Sequence, residues 1–215
     1  MIQLEVWGPY ALFTRGEMKV ERVSYDVPTP SAARGIVESI YLHPGMRWVI
    51  RRIYVLNPIE FTTIRRNEVK SKILGGTAMR IAQSKEDEPY LVTTKQIVQR
   101  ASMVLTNVHY VIEAEFEMLP EKAAPGDNPG KFQDIVTRRM RKGQCFSTPY
   151  FGCREFPAHF KQWEGGPIPT IDETRDLGFM LYDFDYSDPQ NITPLYFRAK
   201  MEHGVIQVAG CEVFR

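Results

Sequence analysis

The sequence is poor in cysteine and has no long apolar run. Its three cysteines, Cys145, Cys153 and Cys211, are odd in number and lack C-x-x-C spacing, which argues against a disulfide framework and a structural zinc site and predicts buried free thiols. No stretch approaches the roughly 20 apolar residues of a membrane span, and the first residues lack the basic and apolar regions of a secretory signal. We therefore expect a soluble, cytoplasmic protein that does not associate with a membrane.

Motifs for nucleotide cofactors and catalytic metals are also missing. The sequence contains no Walker loop, no G-x-G-x-x-G after a predicted strand and no H-E-x-x-H. Its four histidines are scattered along the chain, at positions 43, 109, 159 and 203. We therefore expect neither a cofactor nor a bound metal, which leaves nucleotide-cofactor enzymes and zinc hydrolases without support.

Net charge is close to zero, at +1 over 215 residues, so a strong field over the whole protein is excluded. The charge is nevertheless segregated along the chain. Residues 45–72 hold seven cations against two carboxylates, residues 130–142 hold five against one, and residues 171–188 hold six carboxylates against one arginine. Local basic patches of this kind predict a groove for a polyanion on one face. The same counts also fit solvated charges on unrelated surfaces.

Apolar and β-branched patterns predict three strands in the first half of the chain, at residues 2–7, 46–56 and 107–118. Between the first two strands, Thr29 can cap a helix that begins at Pro30 and continues along one apolar stripe to about Leu42. The Gly75-Gly76 pair and the acidic run after it indicate a loop over residues 74–90.

The second half is predicted to contain one helix and then a β region. A connector rich in Pro, Gly, Asp and Asn precedes a helix from Lys131 to Lys142, which ends at Gly143. Strand-like segments follow at 177–185, 194–201 and 204–209. This order predicts an α+β fold with a ferredoxin-like domain over residues 1–120, to which the second helix could also belong, and an antiparallel β region over residues 144–215.

Several sequence blocks together resemble one protein family. They read VWGPYALFT at 6–14, SYDVPTPSAARGIVESIY at 24–41, RRNEV at 65–69, GK at 130–131, RR at 138–139, GQCF at 143–146 and YFGCREF at 150–156. The chain resembles the fifth CRISPR-associated (Cas) protein family in its type I-C form. That resemblance implies a RAMP-superfamily protein with a ferredoxin-like (RRM-like) N-terminal domain and a C-terminal β extension. It also implies a metal-independent endoribonuclease that cleaves CRISPR repeat RNA at the base of its hairpin and remains on the 5′ handle within Cascade.

Cleavage of RNA without a metal uses the 2′-hydroxyl as nucleophile, so the protein has to supply a base, a cation for the phosphorane and an acid for the departing 5′ oxygen. The resemblance implies that Tyr41, at the end of the first helix, and Lys131, at the start of the second, belong to this site. The family carries a histidine directly after that lysine, whereas this sequence has Phe132. Since phenylalanine transfers no proton, we expect weak activity, with His43 as a candidate replacement.

Each of these residues also has a purely structural interpretation. Tyr41 fits the edge of a core, Phe132 continues the apolar stripe of its helix, and His43 fits an exposed loop. His109, on the polar face of a strand with glutamates, is a further candidate for proton transfer. Burial of Lys131 beside Arg138 or Arg139 would favour its neutral form and allow it to act as a base.

Five arginines are candidates for phosphate contacts, namely Arg65, Arg66, Arg138, Arg139 and Arg154. Trp48 and Tyr54 could stack on unpaired bases. Each arginine could equally be solvated or salt-bridged, and both aromatic residues could lie in the core. The implied partners are CRISPR repeat RNA (pre-crRNA and crRNA) and the other type I-C Cascade subunits, with double-stranded DNA as an additional candidate. Two other functions stay open: a non-catalytic crRNA-binding or assembly subunit, and a nonspecific duplex binder.

Overall fold

One β-sheet organises the chain in the computed structural model, which describes residues 1–18, 20–71, 75–83 and 92–215. The strands are β1 (Ile2–Ala11), β2 (Arg22–Val23), β3 (Met46–Val55), β4 (Glu60–Val69), β5 (Ile97–Met118), β6 (His159–Gln162), β7 (Arg175–Asp185), β8 (Thr193–Glu202), β9 (Val205–Gln207) and β10 (Val213–Phe214). The helices are α1 (Pro30–Ile40), α2 (Gly75–Gln83), α3 (Thr93–Gln96) and α4 (Pro129–Lys142).

The sheet runs in the order β10-β8-β9-β3-β5-β1-β6, with β2 and β4 also paired to β5 and β7 paired to β8. Only the short β2 pairs in parallel among the described strands, and the other pairings are antiparallel. Mostly antiparallel strands with a few helices make an α+β fold, as the order of the sequence patterns predicts.

The first predicted helix is confirmed, and its start is explained by its cap. The backbone N–H of Ala32 donates to Thr29 Oγ1 at 3.1 Å, and Pro30 occupies the first helical position. The helix ends at Ile40, two residues earlier than predicted, because Tyr41 is already extended (φ −149°, ψ 120°). Tyr41 therefore leaves the helix and turns its side chain toward the second long helix, α4.

Helix α4 is also confirmed, although it starts two residues before the predicted Lys131. Asn128 caps it by accepting a hydrogen bond from the backbone N–H of Lys131 at 2.9 Å. The helix stops where Gly143 adopts a left-handed conformation (φ 62°), which a glycine does without a side-chain clash. Its buried stripe consists of Phe132, Val136 and Met140.

The two long helices pack on the same face of the sheet, α1 over β3 and α4 beside β6. On the two central strands, alternate residues such as Leu4, Val6 and Ile112 point into the core beneath the helices. Residues of the opposite alternation, including Glu5 and Trp7, lie on the face without helices.

The segment between β3 and β5 differs from the sequence prediction. Residues 60–69 form the ten-residue strand β4, which pairs with the first half of β5. This strand was not predicted. Helix α2 occupies Gly75–Gln83, so the prediction of a loop there was wrong. The Gly-Gly pair suggested a loop, but the Ala, Met, Arg and Gln that follow are good helix formers. The rest of the predicted loop, at 74 and 84–90, lies outside the described residues.

The three predicted C-terminal strands are confirmed as β7, β8 and β9, the last of which is shorter than predicted. They join the rest of the sheet because β9 pairs with β3. A salt bridge from Arg34 of α1 to Asp183 of β7, at 2.8 Å, adds a second connection. Among the described residues, no helix has the length and apolarity to cross a membrane.

The cysteines are free, as predicted, but their predicted burial is only partly correct. Cys153 and Cys211 are partly buried, whereas Cys145 is exposed. Cys145 follows the end of α4 in an irregular segment without apolar periodicity, and for this reason it does not reach the core.

Candidate active site at the ends of α1 and α4

The structure brings the predicted residues Tyr41, His43 and Lys131 together where α1 ends and α4 begins. The rings of Tyr41 and His43 both lie next to the ring of Phe132, with centroid distances of 6.0 and 4.8 Å. Lys131 precedes Phe132 at the start of α4. Three groups able to move protons or hold an anion therefore line one small region of the surface.

Asp127 connects this cluster and was not predicted. Its Oδ1 lies 2.9 Å from Lys131 Nζ, and its Oδ2 lies 3.7 Å from His43 Nδ1 and accepts a hydrogen bond from the backbone N–H of Ala124 at 2.8 Å. The side chain is only 1% exposed. The hydrogen bond from Lys131, together with that from Ala124, lowers the pKa of Asp127 below its usual range, so this carboxylate is ionised.

The surroundings of Lys131 differ from the predicted burial beside arginines. Its side chain is 47% exposed and forms an ion pair with Asp127, four residues earlier in the chain. The desolvation on which the expectation of a lysine base depended is therefore missing. Lys131 is instead a cation that faces solvent, suited to stabilise negative charge.

His43 is held by its own backbone neighbourhood. The backbone N–H of Gly45 donates to His43 Nδ1 at 3.1 Å. This hydrogen bond assigns the proton of the neutral ring to Nε2, since Nδ1 acts as the acceptor. The neutral ring therefore presents an N–H donor, and in the protonated ring Nδ1–H would face the ionised Asp127.

Tyr41 is buried except for 6% of its surface. Burial raises the pKa of its hydroxyl, and the nearby charges of Lys131 and Arg139 counteract only part of that effect. The hydroxyl is therefore a proton donor at neutral pH. The backbone of Tyr41 is fixed as well, since Trp48 Nε1 donates to its carbonyl oxygen at 2.8 Å.

Phe132 lies in the core, as its place on the apolar stripe predicts. It is fully buried and contacts the ring of Phe116 (centroids 6.1 Å apart) in addition to those of Tyr41 and His43. Trp48 is buried too, so it packs in the core instead of offering a face to an RNA base. Tyr54 lies on the face without helices, where its hydroxyl is 3.3 Å from Glu113 Oε2.

The five predicted phosphate-binding arginines do not form one group. Arg138 is exposed on α4, whereas its neighbour Arg139 turns inward and donates from Nη1 to the carbonyl oxygen of Ile40 at 2.6 Å. Its guanidinium also lies over the Tyr41 ring, 5.2 Å from the centroid. Arg65 and Arg66 lie opposite Ala101 and Arg100 at the far end of β5, roughly 50 Å of strand length away at about 3.3 Å per residue. Arg154 adjoins Glu155, the salt-bridge partner of Arg66.

At that far end, the arginines again differ in their contacts. Arg66 pairs with Glu155 and donates to Ser102 Oγ at 3.1 Å. The hydrogen bond that Arg66 donates to Glu155 raises the pKa of the guanidinium. Arg65 and Arg154 are exposed, and no carboxylate of the described residues lies within salt-bridge distance of either.

Part of the basic stretch at 45–72 is neutralised by the neighbouring strand. Its three arginines on β3 form salt bridges with three glutamates on β5, in the pairs Arg47–Glu117, Arg51–Glu115 and Arg52–Glu113. The basic character of the sequence segment therefore does not translate into a basic surface at β3. Lys72 of this stretch lies outside the described residues.

The other histidines lie away from the cluster. His109 and His159 are on the face of the sheet without helices, and His203 is in the turn between β8 and β9. In the part of the chain that the structure describes, no group of three or more His, Cys, Asp or Glu side chains has an arrangement suited to a metal ion.

The model of the CRISPR-associated protein family Cas5 matches residues 1–209. The chain belongs to the Cas5 family. This Cas5 chain is 46% identical over 214 residues to the CRISPR pre-crRNA endoribonuclease Cas5d of Mannheimia succiniciproducens, across 96% of this chain and 94% of that protein. It is 36% identical over 224 residues to the protein of the same name from Thermus thermophilus, across 96% and 90%. The resemblance to the type I-C form is thereby confirmed.

Two solved structures share the fold of this Cas5 chain. One is a CRISPR-associated protein, with a TM-score of 0.70 at 23% identity. The other is a functionally uncharacterized protein from Streptococcus mutans, with a TM-score of 0.69 at 22% identity. Each likeness covers 100% of this chain and 96% of the other. At these identities the comparison establishes the fold of the Cas5 chain and nothing about its site.

Proposed function

We propose that this chain is a pre-crRNA endoribonuclease that cleaves CRISPR repeat RNA at the base of its hairpin and then remains on the 5′ handle as a subunit of Cascade in the cytoplasm. The observation that carries the proposal is the cluster of Tyr41, His43 and Lys131 around the carboxylate of Asp127. Relatives named as pre-crRNA endoribonucleases align with nearly the whole chain, which supports the same activity here.

The proposal includes a ferredoxin-like, RRM-like unit. Its support is the succession β1, α1, β3, β5, α4, β6 along the chain, with the antiparallel sheet order β3-β5-β1-β6. Such a unit extends beyond residues 1–120, since it needs α4 and takes its last strand, β6, from residues 159–162. The C-terminal β region over residues 144–215 then supplies this strand as well as the β7–β8 extension.

The proposed reaction is metal-independent transesterification. The 2′-oxygen attacks the adjacent phosphorus, the bond from phosphorus to the 5′ oxygen breaks, and the products are a 2′,3′-cyclic phosphate and a 5′-hydroxyl. Lys131 stabilises the negative charge on the phosphorane, and the Tyr41 hydroxyl donates a hydrogen bond to it. The Nε2–H of the neutral His43 ring, which the hydrogen bond from Gly45 to Nδ1 leaves in place, donates a hydrogen bond to the departing 5′ oxygen, and that oxygen takes its proton from water.

Asp127 acts in this scheme as a positioning residue. It holds the Lys131 ammonium at 2.9 Å and lies 3.7 Å from Nδ1 of His43. A second imidazole is absent from the cluster in the described residues, so the proton of the 2′-hydroxyl has to leave to solvent. We therefore expect slow cleavage in comparison with relatives that carry a histidine after the lysine.

The proposed RNA path follows the exposed side of α4. Arg138 lies seven residues, or about two helical turns and roughly 10 Å, beyond Lys131, which places both cations on one side of the helix. Arg65 and Arg154 are proposed to contact phosphates at the far end of β5. Arg139 and Arg66 are engaged with other protein groups, and we assign them to positioning.

A binding and assembly subunit without its own cleavage is the second candidate function. The buried Phe132 favours it, because the position that carries a histidine in the family offers no proton here. Nonspecific binding of duplexes, including double-stranded DNA, would instead show a steep salt dependence and no preference for the repeat hairpin.

Incubation of the purified protein with its own repeat RNA in EDTA tests the proposal. We expect one cut at the hairpin base, with a product that polynucleotide kinase labels directly because its 5′ end is a hydroxyl. The His43→Ala, Lys131→Ala double variant is the control for contaminating nucleases. Tight hairpin binding without a cut would support the assembly subunit, and equal affinity for an unrelated RNA of the same length at about 0.15 M salt would support the nonspecific binder.

A further inference from the structure

A row of three aromatic rings crosses three strands on the face of the sheet without helices. Trp7 of β1 lies directly opposite His109 of β5 on one side and His159 of β6 on the other. The ring centroids are 6.2 Å apart for Trp7 and His109 and 5.8 Å apart for Trp7 and His159. The proposed cleavage cluster is on the other face, beneath and beside the helices, so this row is a separate feature.

The row borders a cleft with a volume of about 430 Å³. Asn57 and Asn107 form part of its wall, and Asn57 Nδ2 donates to the backbone carbonyl of Asn107 at 2.8 Å. Asn107 has a φ of 47°, in the left-handed region that residues other than glycine adopt rarely. Asparagine adopts this region more readily than most other residues with a side chain.

The exposed charge at the cleft is positive. Glu5 is the single carboxylate among the residues that line the cleft, and its side chain is 8% exposed. It accepts a hydrogen bond from His109 Nε2 at 2.9 Å and forms a salt bridge with Lys161, whose Nζ lies 3.2 Å from Glu5 Oε2. Lys161 itself is 58% exposed and lies 5.6 Å from the centroid of the Trp7 ring. A cation at the rim with the carboxylate buried beneath it complements an anion next to a flat ring.

We propose that this cleft binds an unpaired base of single-stranded RNA, with the base on the Trp7 row and its phosphate near Lys161. Every base has a π-face, so an aromatic platform with a neighbouring cation suits single-stranded nucleic acid. The side-chain amide groups of the asparagines supply donors and acceptors for the edge of the base. The inference rests on the proposed function for the choice of RNA as the ligand.

The test uses a short unstructured oligoribonucleotide that contains 2-aminopurine, whose fluorescence falls when the base stacks. We expect the wild-type protein to quench it, Trp7→Ala to weaken binding by roughly 5- to 100-fold, and Trp7→Phe to retain most of the affinity. Trp163→Ala is the matched control, because Trp163 lies just beyond β6, outside the row, with its Nε1 bonded to the carbonyl of Gly165. This control should bind like the wild type.

The melting temperature of each variant shows whether it folds. If Trp7→Ala does not fold, His159→Ala, at an exposed position of the edge strand, replaces it in the binding assay. Unchanged affinity of folded Trp7→Ala, or an equal loss in Trp163→Ala, would overturn the proposal. The two hypotheses fail separately. A wild-type protein that quenches the probe but leaves repeat RNA uncut contradicts the nuclease and supports the cleft, whereas one that cuts but does not need Trp7 for single-strand binding contradicts the cleft alone.

Discussion

Arg138 and Arg139 are neighbours in α4 with different surroundings, so replacing each with alanine should have different consequences. Arg139 donates a hydrogen bond to the carbonyl of Ile40 and lies over the ring of Tyr41. Arg138 is exposed, and the described residues contain no salt-bridge partner for it. We expect Arg139→Ala to affect stability and turnover, and Arg138→Ala to affect RNA affinity.

The expected loss of stability follows from the two contacts of Arg139. A hydrogen bond to a charged donor contributes about 1.5–3 kcal/mol, and a partly shielded cation–π contact contributes about 0.5–2 kcal/mol. Their sum is non-additive and screened in part by solvent, so we expect roughly 2–4 kcal/mol. For a chain of this size, each kcal/mol lowers the melting temperature by about 2–4 °C. Arg139→Ala should therefore melt on the order of 5–15 °C lower, and its cleavage rate should fall because Tyr41 loses its support.

Arg138→Ala should leave the melting temperature unchanged and weaken binding of repeat RNA. Loss of one phosphate contact lowers the slope of log affinity against log salt by about 0.7–0.9. Thermal melting, single-turnover cleavage at saturating protein and a salt titration of RNA binding, applied to both variants, distinguish the two roles. The reasoning is refuted if Arg139→Ala keeps the wild-type melting temperature and loses salt dependence as Arg138→Ala is expected to do.

Three further results are expected. His43→Ala should lower the cleavage rate by about 10²- to 10⁴-fold. Adding Phe132→His to this variant should restore part of the rate, because removal of the His43 ring uncovers position 132. If the rate does not recover, position 132 stays inaccessible to the RNA. Lys131→Ala should reduce the cleavage rate far more than RNA affinity, and equal losses would make this lysine a simple phosphate anchor. Asp127→Asn should slow cleavage in the wild type but add little to Lys131→Ala, since it acts partly through that lysine; additive losses in this double-mutant cycle would argue against the positioning role.

Local sequence patterns were sufficient for the elements that carry the candidate site. Helix α1 is set by the Thr29 cap, the Pro30 start and a stripe of apolar residues, and α4 ends at Gly143 because only a few residue types suit a left-handed end. These signals act within one or two turns of the chain. The resemblance to a family then gave Tyr41 and Lys131, while His43 was only a candidate among scattered histidines.

The sequence by itself thus determined the α+β class, the two helices that present the cluster and the place of Phe132 in the core. Only the tertiary structure decided which distant side chains meet. Asp127 links His43 and Lys131 because the end of α1 and the start of α4 pack side by side, and the arginines of β3 lose their free charge because the register with β5 places glutamates opposite them. Partners of this kind depend on sheet register and helix packing, which periodicity within one segment does not specify. For the same reason, two adjacent arginines of α4 that the sequence does not distinguish have different surroundings. Arg139 donates a hydrogen bond to the carbonyl oxygen of Ile40, whereas Arg138 is exposed to solvent.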